Sequence, residues 1–412
     1  LGFTDTRTDF GFYTDRQVEV DRALVTRRAA PLARELAEEF KVVAIVGPRQ
    51  SGKTTLARAV FPDRVYVSLE EPDQRRFAHD DPRRFLDHFG PGTIIDEVQR
   101  CPELLSYLQG RVDARQGTGQ YILTGSQHLT LMTRIGQSLA GRVGFLQLLP
   151  FAADELVRAN LLPESLDQAL FQGAYPPVYH QPVRPERWYS AYAATYAERD
   201  VRQLLNVRDL GTFQRFLALC AASVGQLLNT AHLAADLGLS QPTVMAWIGV
   251  LEASFLVVRL RPHHRNFRKR LVKTPKLYFL DTGLAARLLG IQSPAQLATH
   301  AMRGLLFENW VVAELLKARA NRGLDANLFF WRSHTGHEID VVAERGDRLL
   351  PIEVKSGSTL ASDWFASLAK WSELAGSAAD PPWLVYGGNQ RFLRQGIEVC
   401  PWRQLPEVAD RV

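Results

Sequence analysis

The chain has 412 residues, with 49 Lys and Arg against 44 Asp and Glu, a formal net charge of +5, and 46% hydrophobic and 23% charged residues. That length accommodates two to four domains, and the composition is that of an ordinary soluble globular protein. No uncharged apolar run approaches the eighteen or so residues of a membrane span, so no membrane partner is expected. Cys101, Cys220 and Cys400 lie far apart without C-x-x-C spacing, which predicts buried free thiols in a reducing cytoplasm. Leu1-Gly-Phe-Thr-Asp-Thr-Arg7 has neither a signal-peptide core nor an initiating Met, so a trimmed start is expected.

Taken in chain order, Arg16 to Glu39 predicts one or two helices leading into a buried strand, Val42 to Val46. The strand breaks into Gly47-Pro48-Arg49-Gln50-Ser51-Gly52-Lys53-Thr54, which fits G-x-x-x-x-G-K-[ST] at every fixed position, and Thr55 to Val60 continues at helical spacing. The glycines let the loop turn its N–H groups toward phosphate, and the helix that follows presents its positive end to the same anion. Residues Gly47 to Thr55 therefore predict an ATP cradle, with Lys53 reaching the β- and γ-phosphates and Thr54 holding Mg²⁺. A second strand is expected at 65–69. A third, within Gly92 to Val98, ends in Asp96 for the magnesium shell and Glu97 to orient or deprotonate the attacking water. Gln120 to Ser126 predicts a fourth strand, with Thr124 and Ser126 as γ-phosphate sensors or simple strand terminators. Arg142, after Ser138-Leu-Ala-Gly, is either a trans-acting finger or an ordinary surface cation. Strands at 42–46, 65–69, 93–96 and 120–124 alternating with helices predict a parallel α/β sheet, closed by Leu146 to Phe151, over residues 1–151.

Residues 152–222 read as a helical lid, in which Trp188 to Tyr196 is expected to be helix packing rather than an aromatic cage. Residues 223–290 read as a winged helix-turn-helix. Asn229 to Leu237 and Gln241 to Leu251, the latter capped by Ser240, form its helices, and Phe255 to Leu260 and Lys276 to Leu280 its wing strands. Residues 259–276 hold eight cations and no acid. Arg265, Arg268, Lys269, Arg270 and Lys273 are the expected DNA-phosphate contacts, the alternative being a protein-packing wing. In residues 291–412, Glu308 stands near the start of a helix. Asp340 and Glu353 stand at equivalent edges of paired strands, with Lys355 on the face of Glu353 by period two. Two carboxylates sharing Mg²⁺ or Mn²⁺, with Glu308 completing the site and Lys355 steadying the phosphate, predict a metal-dependent nuclease centre. The alternative is a nuclease-like fold that binds DNA without cutting.

Taken together, GPRQSGKT, IIDE, LTGS, SLAGR, FENWVVAEL, GHEIDVV and IEVKSG resemble the prokaryotic AAA+-type ATPase family whose C-terminal half is the domain of unknown function 4143. The C-terminal part also resembles PD-(D/E)xK nucleases, notably archaeal Holliday-junction resolvases, although Ile339 replaces the usual Pro before Asp340. The order of ATPase core, lid and winged helix is similar to the bacterial Holliday-junction branch-migration motor. The resemblance implies a ring-forming, most plausibly hexameric, ATP-driven motor on branched DNA fused to a junction-type nuclease. The alternative is an ATP-gated regulatory or scaffold protein in which the nuclease fold is an inert binding surface.

Overall fold

The computed structural model describes residues 24–126, 138–196, 209–263, 273–333 and 336–412. Its first sheet comprises β1 (Val42–Val46), β2 (Tyr66–Ser68), β3 (Thr93–Asp96), β4 (Tyr121–Gly125) and β5 (Val143–Gln147), all parallel in the order β2-β3-β4-β1-β5. Every residue of β1 is buried, as an uninterrupted apolar run between two neighbours requires. Alternate residues serve opposite faces. Val43 and Ile45 pack with Leu36, Leu56 and Ala57 of the flanking helices Ala30–Glu39 and Lys53–Val60, while Val42, Ala44 and Val46 join the larger core. Register sets Val46 beside Gly125 and Ile95 beside Leu123, so the loop after β1, Asp96 and the end of β4 share one edge of the sheet. The fifth strand starts earlier than the closing segment expected from Leu146, because Val143 pairs in register with Val42.

The helical stretch expected over 152–222 contains helices Ala153–Arg158, Leu166–Gln172, Pro176–His180, Pro185–Tyr196 and Leu210–Ala222. Two further helices, Thr230–Leu237 and Gln241–Ala253, follow each other across a short turn. Asn229 caps the first by accepting the His232 N–H, Gly238 at φ 65° turns the chain, and Ser240 caps the second by accepting the Thr243 N–H.

The strands that follow do not form a separate wing. β6 (Val257–Pro262) and β7 (Lys276–Phe279) pair antiparallel, but the end of β6 also runs parallel to β8 (Leu328–Arg332), Arg261 against Phe329 and Pro262 against Phe330. The hairpin thereby extends a sheet ordered β12-β13-β11-β10-β9-β8-β6-β7. The rest of that sheet is β9 (Glu338–Arg345), β10 (Arg348–Lys355), β11 (Trp383–Tyr386), β12 (Phe392–Arg394) and β13 (Ile397–Pro401). Apolar pattern alone marks β6 and β7 as strands without saying which edge receives them.

Helix Arg303–Ala320 is buried continuously from Leu306 to Arg319 and packs on β7 and β10. Lys317 Nζ donates to Phe151 O at 2.9 Å, and the Ala153 N–H donates to Glu314, so this helix is joined to the chain leaving the first sheet. Cys101, Cys220 and Cys400 are free and buried, as expected.

Candidate functional site

The loop after β1 is shaped by its backbone. A Cβ at Gly47 would lie 2.1 Å from Leu148 O, and Gly52 sits at φ 92°, so each position requires glycine, the first for space and the second for conformation. Gln50 also adopts a positive φ of 61°. Lys53, buried at the first turn of its helix, donates to Pro48 O at 2.8 Å and Gly47 O at 3.2 Å. An anionic phosphate offers the ammonium stronger, charge-assisted partners than these neutral carbonyls, so the side chain is stored where it is used.

Thr54 Oγ1 donates to Asp96 Oδ1 at 2.7 Å, which sets the two residues expected at Mg²⁺ side by side. Their oxygens suit a hard cation, so the pair fits the magnesium shell. Thr124 Oγ1 donates to the same Asp96 oxygen, and Tyr66 donates its O–H to Asp96 Oδ2 at 3.0 Å. Burial, and then the Asp96 charge, push the Tyr66 phenol up to about 12, so it remains a donor. Glu97 follows at φ 55°, an unfavourable conformation for a non-glycine residue, with its N–H donated to Thr124 Oγ1 at 3.2 Å. Gln99 Nε2 donates both to Glu97 Oε2 and, at 3.1 Å, to Ser126 Oγ. Thr124 thus braces both acids, and Ser126 reaches Glu97 both directly, donating to Oε2 at 3.4 Å, and through Gln99. One end of a cleft of about 670 Å³ is formed by Gln50, Lys53, Thr54 and Glu97.

The loop has a support that sequence patterns do not reveal. Arg27 is buried behind it, donating to Ser51 O at 2.7 Å, to Leu149 O at 2.6 Å and to Glu155 Oε1 at 3.1 Å, over the ring of Phe151. Glu155 is wholly buried and also accepts the N–H groups of Arg28 and Ala152. A guanidinium can bridge these distant acceptors because its donors form a rigid fork.

The second cluster lies in the C-terminal sheet. The antiparallel register ends with Ile352 opposite Val341, and Glu353 and Asp340 are the next residues beyond that pair. Asp340 Oδ2 accepts the Val354 N–H at 2.8 Å. Lys355 Nζ lies 2.6 Å from Glu353 Oε1 and 3.9 Å from Asp340 Oδ2. Glu353 Oε2 is buried and accepts no hydrogen bond from the described residues. Burial, reinforced by the Asp340 charge, raises the Glu353 carboxyl to about 8 despite Lys355.

Glu308 is committed elsewhere: its Oε1 accepts Lys276 Nζ at 2.9 Å and the Tyr278 O–H. Lys276 is also paired with Glu338. Although burial lowers its pKa, the charges of Glu308, Asp340 and Glu338 raise it on balance, so it is a fixed cation. Of the three carboxylates expected at a metal, Glu308 is thus already paired with Lys276, and among the described residues no group of three or more His, Cys, Asp and Glu side chains is arranged to hold a metal ion.

Lys276 also changes the reading of the basic segment. It and Arg259, which is bound to Glu252 at 2.6 Å, are internal ion-pair partners rather than free phosphate contacts. Lys273 is exposed, whereas Arg265, Arg268, Lys269 and Arg270 lie outside the described residues. Arg142 sits at the start of β5, the end of the sheet away from the phosphate loop, with Nη2 2.9 Å from Asp113. The aromatic run packs as expected: Trp188 and Tyr192 stack at 5.0 Å, with Tyr175 beside both.

Residues 39–157 match the AAA domain family, residues 163–295 the domain of unknown function DUF8612, and residues 303–405 the domain of unknown function DUF4143. The uncharacterized proteins Rv2008c of Mycobacterium tuberculosis and Mb2031c of Mycobacterium bovis are each 31% identical over 390 residues, 93% of this chain and 85% of theirs. Among solved structures, the Walker-type ATPase PABY2304 of Pyrococcus abyssi covers 64% of this chain and 96% of its own, at 17% identity and a TM-score of 0.41. The AAA domain makes ATP the nucleotide of the phosphate loop. The chain belongs to the family of these mycobacterial proteins, as a member with an AAA-type ATPase domain near its start and DUF4143 near its end.

Proposed function

We propose that the chain is an ATP-hydrolysing DNA-processing motor whose C-terminal cluster is a divalent-metal nuclease centre acting on branched DNA, such as a four-way junction. The observation carrying the nuclease half is Lys355 Nζ lying 2.6 Å from Glu353 and 3.9 Å from Asp340, with one buried Glu353 oxygen that accepts no hydrogen bond from the described residues. That unpaired oxygen and Asp340 fit a Mg²⁺ or Mn²⁺ ion, with Glu308 standing behind on Lys276. When bound, the ion supplies positive charge to a phosphate and acidity to a water molecule. Lys355 orients Glu353 and offers a cation to the same phosphate. Exposed Lys273 and its basic neighbours in sequence would hold the DNA backbone, and ATP-bound copies would form a ring, taken as a hexamer, with Arg142 serving a neighbour's nucleotide. A specific ATPase rate that rises with protein concentration would follow from that ring.

The test is four-way-junction cleavage with Mg²⁺ and with Mn²⁺, in wild type and Asp340→Ala. The wild type should cut and the variant should not, while both hydrolyse ATP alike. Equal cleavage by the variant would show that the site is misassigned. A second reading, ATP-gated DNA binding or scaffolding without cutting, draws on Lys276, which already neutralises the innermost carboxylate. It predicts ATP-dependent strand separation or binding by a wild type that never cuts.

A further inference from the structure

The cleft that holds the phosphate loop is also lined by residues outside the loop. Helix Pro185–Tyr196 lines it through Trp188 and Tyr192, and Pro176 and Pro177 line it as well. The Trp188 and Tyr192 rings are stacked with an interplanar angle of 21°. They are held from behind by Tyr175, whose hydroxyl is 3.1 Å from that of Tyr192. Both rings are almost wholly buried, yet both border this cleft. His180 and Gln181 supply polar groups beside them, and Leu24, 67% exposed, stands at the mouth.

A cleft of about 670 Å³ falls in the range of roughly 300–1,000 Å³ that holds a whole small ligand. The wall is rigid, flat and apolar with polar groups at its border. That chemistry suits a heteroaromatic ring, whose faces stack and whose edges hydrogen-bond, better than a sugar or a phosphate.

We propose that the adenine base of the bound nucleotide lies against the Trp188–Tyr192 wall, with its edge toward His180 and Gln181. The aromatic cluster thus serves both as packing and as the base-recognition surface. The inference rests on ATP being held by the phosphate loop, and the experiment separates the two.

Binding of ATP and of inorganic tripolyphosphate, each with Mg²⁺, is measured by calorimetry on the full chain, in wild type, Tyr192→Leu and Gln181→Ala. One good base-stacking contact corresponds to roughly tenfold or more in affinity, so wild type should prefer ATP by at least that factor. Tyr192→Leu should erase most of the preference while tripolyphosphate binding stays within about twofold, and Gln181→Ala should reduce it in part. Should Tyr192→Leu not fold, the conservative Trp188→Phe serves. Wild type should lose Trp fluorescence on binding ATP but not tripolyphosphate, and the variant should lack that quench. Equal affinity of wild type for both ligands, or equal weakening of both in the variants, would overturn the base assignment. Failure of tripolyphosphate to bind wild type would overturn the phosphate-loop reading and the proposal with it.

Discussion

At the phosphate loop, the groups available to a ligand are backbone N–H donors, hydroxyls, Arg49 and a lysine that donates to two neutral carbonyls. In the C-terminal sheet, by contrast, Glu308, Glu338, Asp340 and Glu353 face Lys276 and Lys355, with charge already set against charge. The first arrangement gains charge-assisted partners when an anion arrives. The second must exchange one ion pair for another, so its bare protein is already largely neutralised. A loop built by backbone thus announces its ligand, whereas a buried carboxylate cluster has two meanings, ligand site or internal brace. Only the unpartnered Glu353 oxygen inclines it toward the former.

The largest effect that sharpens this contrast is Lys53→Ala. It removes the ammonium expected at the β- and γ-phosphates, so ATP affinity and turnover should fall together, turnover to background, as assayed by phosphate release and nucleotide binding. The carboxylate cluster should not change, because nothing in it touches the loop.

Next in size is Lys276→Met, which leaves Glu308 and Glu338 without their buried cation. Removing one partner of such a pair costs about 3–5 kcal/mol, read as a lower urea midpoint. Adding Glu308→Gln should restore much of the loss. A cost below about 1 kcal/mol would mean that the lysine is not the internal brace described here.

A smaller effect concerns pH. Burial and the Asp340 charge raise the Glu308 carboxyl to about 7, with Lys276 opposing. The acid's pKa is higher in the folded protein than in the unfolded one. Its contribution to stability is therefore complete below the unfolded value, roughly 4.3, and is lost as pH rises through about 7. Between pH 5 and pH 8 the wild type should therefore lose stability relative to Glu308→Gln, as followed by thermal unfolding. Parallel pH profiles of the two proteins would contradict the raised carboxyl.

The two regions were unequally legible in sequence for the same reason that they differ in chemistry. Gly47 to Thr54 is contiguous, and each residue acts where it stands, so its function is written locally. Asp340, Glu353 and Lys355 were also readable, because period two and strand pairing fix their relation. Lys276 was not: counted with a basic segment, it turns inward only because its hairpin extends the C-terminal sheet beside the long helix. Arg27 was equally hidden, since its partner Glu155 is 128 residues away and no local pattern connects them.

The central claim is that the loop and its two acids form a working ATPase, and Glu97→Gln tests it most directly when binding and turnover are measured on the same preparation. Glu97 is held by Gln99 and braced through Thr124 beside, not within, the phosphate cradle. The variant should therefore bind ATP within about threefold of wild type while turnover falls roughly 10²–10⁴-fold. Wild-type turnover in Glu97→Gln would contradict the account.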